Sequence, residues 1–344
     1  MKTAVVPRTT TRKQTNLKLP GSRTAAPGAA EKPAKTAPRL KSLLVPVDFS
    51  ECSLRALDYA VSLARQTGGQ ITLVHAVEPR KVFNDSKSAY ADWDAWMLQT
   101  SRNQLNQLAT DRIEELIPVR VELRIGRSYE VICELARRGG TDLIIIGTHG
   151  RTGLKRLFLG STAERVVRFA PCSVLVVRGK EAGGDRRFAP RKILVPLDFS
   201  GCSKKAVQYA VGLAEAFQAR LQLVHVVPTQ YASGDFDYFD YAMLESELKH
   251  SAEKELVATA KRIHARDHLP VETMILHGRP ATEIAQAAQG MGADLIVIST
   301  HGRTGIEHAL LGSTTEAVVR HAHCPVLTLR LGNRVARAGV ERGI

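Results

Sequence analysis

Aromatic residues are scarce, only 5% of the 344 positions, so aliphatic side chains must fill whatever core forms. The hydrophobic share of 44% is ample for soluble globular domains. Cysteine is scarce too. The five thiols, Cys52, Cys133, Cys172, Cys202 and Cys324, are odd in number and scattered. That excludes a disulfide framework and leads us to expect a reducing, cytoplasmic setting. No apolar run reaches the roughly 18–20 residues of a helical membrane span, so no membrane partner is expected. The opening MKTAVVPRTTTRKQTNLKLP has no apolar stretch of the kind a secretory signal carries.

What the chain does have is positive charge, +14 overall, but it is unevenly placed. Residues 1–40 hold nine basic side chains against Glu31 alone, a net +8, in a segment rich in Pro, Thr, Ala and Gly. Such a segment buries too little apolar surface to offset its ordering entropy. It reads as a solvated basic tail, with nonspecific electrostatic contact to nucleic acid or anionic lipid as the alternative.

The chain repeats itself. KSLLVPVDFSECSLRALDYAVSLA (41–64) recurs as RKILVPLDFSGCSKKAVQYAVGLA (191–214), and ITLVHAVEP (71–79) as LQLVHVVPT (221–229), both offset by 150. TDLIIIGTHGRTGLKRLFLGSTAERVVR (141–168) recurs at 293–320, offset by 152. Colinear matches with so small a drift mean duplication of a whole domain, since solenoid repeats run only about 20–50 residues. The organisation expected is a tail (1–40), one domain (41–179), a linker (180–190), a second domain (191–331) and a C-terminal tail (332–344).

Within each copy, apolar runs of strand length alternate with helical periodicity. Leu43–Val45 and Ile193–Val195 are short apolar runs stopped by proline, as in buried parallel strands. Ser50 and Ser200 stand where helix N-caps are needed, and Leu54, Leu57, Val61 and Ala64 form the first helix's apolar stripe. A second strand (71–77; 221–227), a long helix (about 93–117; 243–266) and a third strand (119–125; 271–276) follow. After Gly126 and Gly278 come a helix, a strongly apolar strand (143–146; 295–298), a last helix (161–169; 313–321) and a last strand (174–177; 326–329). The pattern predicts an α/β fold: two tandem doubly wound domains, each a five-stranded, mostly parallel sheet with helices on both faces.

In such sheets ligands bind beyond the carboxyl ends of the strands, where strand order reverses. Asp48 and Asp198, just past the first strand, fall there, and so do the glycine-rich segments after the fourth. Gly147-Thr148-His149-Gly150-Arg151-Thr152-Gly153 leads to Gly160-Ser161-Thr162 at a helix start. Missing side chains let main-chain N–H groups turn toward an anion, and the helix N-terminus adds donors and a positive dipole end. Ser161 or Thr162 can then cap that helix or bond a phosphate oxygen.

Several residues have plainer readings. Asp48 and Asp198 could brace the following turn, and His75 and His225 read as satisfied core imidazoles before catalysts. Cys52 and Cys202 read as small helix-entry residues before dipole-activated thiolates. His149, His301, Arg151 and Arg303 could face phosphate or solvent. His321, His323 and Cys324 lack a fourth ligand, so no metal site is expected. Trp93, Trp96 and Met97, and the run from Asp235 to Tyr241, are expected to pack over a sheet edge or the domain contact, with a partner surface as the alternative.

Gly147, Gly150, Gly160 and Ser161 spell Gly-x2-Gly-x9-Gly-Ser. With the opening VPVDFS, the LVH ending the second strand and the closing APCSVLVVR (170–178), this resembles the universal stress protein family across nearly all of 41–331. The resemblance implies an adenine nucleotide alpha hydrolase-like fold and a site for ATP, or for ADP or AMP, with Mg2+. Pro46, Val47 and Asp48 would line the adenine and ribose side, Asp48 accepting a hydrogen bond from the nucleotide, and Ala76 would offer backbone contacts to the base. Ile146, Gly147, Gly150, Gly160, Ser161 and Thr162 would hold ribose and phosphates. In the second copy the matching positions are Pro196, Leu197, Asp198, Val226, Ile298, Gly302, Gly312, Ser313 and Thr314.

The second copy departs from the motif at Ser299, where a glycine would stand; a backbone needing positive φ would make serine costly there. It also has Glu307 and His308 where the first has Lys155 and Arg156, so the first site is expected to bind more tightly. The resemblance further implies domains paired through their last strands within the chain, and a homodimer of chains. A nucleotide-binding regulatory module of the stress response is the function expected. A slow ATP-hydrolysing or phosphoryl-transferring enzyme is the alternative, set against the lack of a P-loop lysine and of any duplicated acid/base pair.

Overall fold

A computed structural model of the chain describes residues 40–78, 87–148, 159–178, 187–228, 238–300 and 311–330, without the side chains of 87–94 and 238–245. The first half runs β1 (Ser42–Pro46), α1 (Glu51–Thr67), β2 (Gln70–Val77), α2 (Lys87–Arg112), β3 (Val119–Ile125), α3 (Ser128–Arg138), β4 (Leu143–Gly147), α4 (Ser161–Phe169) and β5 (Ser173–Val177). The second repeats it as β6 (Lys192–Pro196), α5 (Gly201–Phe217), β7 (Arg220–Pro228), α6 (Tyr238–Asp267), β8 (Val271–Gly278), α7 (Pro280–Met291), β9 (Leu295–Ser299), α8 (Ser313–His321) and β10 (Val326–Leu329).

All ten strands form one sheet in the order β3-β2-β1-β4-β5-β10-β9-β6-β7-β8. Each half is parallel throughout, and the halves join through an antiparallel pairing of the two last strands, Val174 opposite Thr328 and Val176 opposite Val326. Strand order reverses between β1 and β4 in one half and between β6 and β9 in the other.

Alternation along the strands feeds two apolar layers. On one face, Leu43, Val45, Leu73 and Ile145 pack with α1 and α2, and Ile193, Val195, Leu223 and Val297 with α5 and α6. On the other, Leu44, Val74 and Ile144 meet α3 and α4, and Leu194, Val224 and Ile296 meet α7 and α8. Both layers run across the seam between the halves, and each fully buried Leu or Ile contributes about 1.5–3 kcal/mol.

Local chemistry explains the boundaries. Ser50 caps α1 by accepting from the Ser53 amide at 3.3 Å, and Ser200 caps α5 through Ser203 at 3.1 Å. The long helix α2 departs from expectation, starting at Lys87 and ending at Arg112. Pro118 disfavours helical backbone at Ile117, so the chain turns there, the Ile117 amide donating to the Glu114 carbonyl at 2.9 Å while Ile113 and Ile117 stay buried. Ser101, Leu105 and Ala109 form the buried stripe of α2. Trp96 falls off that four-residue spacing and is 60% exposed, so it does not pack over the sheet as expected.

The seam is held by more than strand pairing. Phe188, which precedes β6, is 4% exposed and stands edge-on to Tyr59 of α1 and Phe217 of α5, at centroid distances of 5.7 and 5.2 Å. On the opposite face, Arg168 pairs with Glu316 at 3.1 Å and Arg320 with Glu164 at 3.6 Å, tying α4 to α8. Among the described residues, no helix is long and apolar enough to cross a membrane.

Candidate functional site

The site begins where β6 ends. The Leu197 amide continues the parallel pairing by donating to the Val224 carbonyl at 2.8 Å, and Val47 does the same with Val74. The chain then turns through Asp198, whose Oδ1 accepts from the Ser200 amide at 3.0 Å and from its hydroxyl at 2.6 Å. Asp48 and Ser50 repeat this at 3.1 and 2.6 Å. Turn-bracing, one of the two readings of these aspartates, is therefore part of their role.

Between the paired aspartate and serine sit Phe49 and Phe199, both with φ of 65°. Left-handed backbone is rare for a bulky residue. Each ring lies against a histidine near the carboxyl end of the neighbouring strand: Phe49 to His75 at 5.0 Å and Phe199 to His225 at 4.7 Å. Nδ1 of His75 lies 2.6 Å from the Val47 carbonyl, and Nδ1 of His225 lies 2.6 Å from the Leu197 carbonyl. A carbonyl only accepts, so Nδ1 carries the proton in both.

Across the switch point, β4 leads to Thr148, whose amide donates to Val177 at 2.9 Å and whose carbonyl accepts from Gly160 at 2.7 Å. Thr300, Leu329 and Gly312 repeat the arrangement at 3.1 and 2.9 Å. The two ends of each glycine-rich segment are thus pinned together beside the start of α4 or α8. Those helices have Gly160 and Gly312 as N-cap residues and no side-chain cap. Ser161 and Ser313 are the first helical residues and do not cap. In contrast to α1 and α5, each closed by a serine, the α4 and α8 amide ends have no cap from their own N-cap residue.

In the second half these parts enclose one cavity of about 560 Å3. Of the nine positions expected there, Pro196, Leu197, Asp198, Val226, Ile298, Gly312, Ser313 and Thr314 all line it. So do Ser299, Phe199 and His225, together with Leu248 and Glu255 of α6, which the sequence reading did not single out. The Thr315 hydroxyl, just inside α8, donates to the Ser299 carbonyl at 2.8 Å. Glu255 pairs with Lys204 at 3.1 Å on the rim.

In the first half Pro46, Val47, Asp48, Ala76, Ile146, Gly147, Gly160, Ser161 and Thr162 occupy the equivalent stations on β1, β2, β4 and α4. Gly150 and Gly302 lie outside the described residues. The same holds for His149, Arg151, Lys155, Arg156, His301, Arg303, Glu307 and His308, the basic tail, and the side chains of Trp93 and of Asp235 to Tyr241.

Gly147 is the end of β4 and has no positive φ. Its glycine is required by closeness: an added Cβ would lie 2.8 Å from the Cys52 carbonyl carbon and 2.9 Å from its oxygen. Ser299, at the end of β9, carries a Cβ at the equivalent position. Cys133, away from the site, is buried, and burial pushes its thiol up to about 11.

The family model described as "Universal stress protein family" matches residues 39–178 and again residues 190–330. The chain belongs to the universal stress protein family. A universal stress protein of Mycobacterium tuberculosis is 27% identical over 299 residues, spanning 84% of this chain and 96% of that one. One from Methanocaldococcus jannaschii is 35% identical over 145 residues, 41% of this chain and 82% of its own. Among solved structures, a universal stress protein from Archaeoglobus fulgidus superposes with a TM-score of 0.63 at 22% identity, covering 87% of this chain and 99% of that chain. That likeness shows the fold, a mostly parallel α/β sheet.

Proposed function

We propose that this universal stress protein is a regulatory module that binds adenine nucleotide, ATP before ADP or AMP, at one site in each half, in the cytoplasm. The observation that carries the reading is the second-half cavity, where eight of the nine expected positions converge beside an α-helix N-terminus without a side-chain cap. Leu197 and Val226 would flank the base, Asp198 would accept a hydrogen bond from the nucleotide, Ile298 would lie beside the ribose, and the α8 amides with Ser313 and Thr314 would face the phosphates. The cavity volume is within the range of small-molecule sites.

Among the described residues, no group of three or more His, Cys, Asp or Glu side chains could hold a metal ion. We propose that Mg2+ accompanies the nucleotide, where it would neutralise phosphate charge beside Ser313 and Thr314. The first-half site is proposed as the stronger, because Gly147 admits a close approach of the Cys52 main chain that an added Cβ would block, and the second half has serine at that position.

Mass spectrometry of nucleotide retained by the gently purified chain, followed by calorimetric titration with ATP and Mg2+, tests the proposal. Retained adenosine phosphate and two binding events per chain are expected. A purified chain with no retained nucleotide and no binding heat at millimolar ATP overturns it.

A further inference from the structure

We infer that His225, and His75 in the other half, are positioning residues that set the spacing between the base-contacting backbone and the aspartate of each nucleotide site. The inference rests on the proposed nucleotide sites. His225 immediately precedes Val226, and Leu197 immediately precedes Asp198, so the 2.6 Å bond from His225 Nδ1 to the Leu197 carbonyl fastens the two strand ends one residue short of the groups proposed to meet the nucleotide. The bond from His75 to Val47 does the same for Ala76 and Asp48, also at 2.6 Å.

The imidazole is held in turn by the phenylalanine that follows the aspartate. Phe199 adopts left-handed backbone, φ 65°, and its ring lies 4.7 Å from that of His225. Backbone of this kind survives in a bulky residue only where the surroundings over-determine it, and it gathers at ligand sites. Here it recurs with the same φ in both halves, with the same histidine and the same carbonyl. His225, Phe199, Leu197 and Asp198 all line the second-half cavity.

The donor geometry gives a discriminating test, because an asparagine amide nitrogen reproduces the place of Nδ1, whereas a glutamine amide reaches one carbon farther toward Nε2. ATP affinity is measured by calorimetry on the full chain, with far-UV circular dichroism and thermal unfolding in parallel. The pairs compared are His75→Asn with His225→Asn, and His75→Gln with His225→Gln. The asparagine pair is expected to bind within about threefold of the parent, and the glutamine pair at least about tenfold more weakly, as misplacement by a fraction of an ångström implies. Glutamine binding equal to the parent overturns the inference, and so does equal loss in both pairs with the fold intact. Should the glutamine pair not fold, Phe49→Gly with Phe199→Gly reads the same bracket from the other side. A folded chain with several-fold weaker binding supports the inference, and unchanged affinity overturns it. A parent chain that binds no ATP overturns the functional reading, whereas a parent that binds ATP no more tightly than the glutamine pair overturns this inference alone.

Discussion

Arg330, just past the end of β10, donates through Nη1 to the carbonyl of Arg168 at 3.1 Å, near the end of α4 in the other half. Arg178, just past β5, returns the contact, donating to the Val319 and Arg320 carbonyls at 2.8 and 2.5 Å near the end of α8. Burial pulls the Arg178 guanidinium below its usual range, with Cys324 opposing. Each half therefore closes the C-terminus of a helix belonging to the other, where a cation also complements the helix dipole. Replacing Arg178 or Arg330 with alanine is expected to cost about 1–2 kcal/mol each, as loss of a charged hydrogen bond to partly buried carbonyls implies. Chemical denaturation reads the loss, and no change in either midpoint would count against the cross-capping.

Phe188→Ala removes the aromatic link between α1 and α5. The loss expected for a buried phenylalanine is about 3–5 kcal/mol. Urea unfolding followed by fluorescence and by circular dichroism is expected to show an earlier transition, the two halves separating before either melts. A midpoint equal to the parent's would show that the seam does not need Phe188.

Gly147→Ala forces a Cβ into a space where the Cys52 main chain stands 2.8 Å away. Overpacking of this kind costs about 1–3 kcal/mol. The reverse change, Ser299→Gly, meets no such obstacle and is expected to leave the fold intact while strengthening nucleotide binding in the second half. Thermal unfolding and titration of the two variants give opposite signs if the close approach is the reason for the glycine.

Gly312→Asp separates folding from binding. The new Cβ would meet the Thr300 carbonyl at 3.4 Å, an ordinary contact, so the side chain fits. Aspartate is a slightly better N-cap than glycine, by a few tenths of a kcal/mol. The α8 amides would then be occupied by a carboxylate at the point proposed for phosphate, so ATP affinity at that site is expected to fall at least about tenfold with no loss of thermal stability. Unchanged affinity would remove α8 from the site.

The parallel halves were legible because duplication made each strand and helix signal appear twice: a proline closing Leu43–Val45 and Ile193–Val195, a serine opening each first helix. What stayed hidden depends on contacts between residues far apart in the chain. Nothing in the local pattern marks Arg178 and Arg330 as caps for distant helices. Nor does it mark Asp142 and Asp294, whose Oδ2 atoms accept from the amides that open β1 and β6 at 2.9 Å each. The switch-point residues were legible as a family pattern, but their physical reasons were not. Of the two reasons a glycine was expected there, Gly147 shows the missing Cβ, which admits the Cys52 main chain, and not a positive φ. Trp96 was expected over a sheet edge or the domain contact, but the buried α2 stripe falls on Ser101, Leu105 and Ala109 and leaves it exposed.

The antiparallel seam between β5 and β10 has a consequence for how this protein responds to dilution. Two separate domains meeting along such strands would part as their concentration fell, whereas here the partner is covalently tethered and its local concentration is set by the connection alone. The pair therefore persists at any expression level. With β5 and β10 already engaged, the strands left at the two ends of the sheet are β3 and β8, so an additional chain cannot pair through the last strands without parting the two halves.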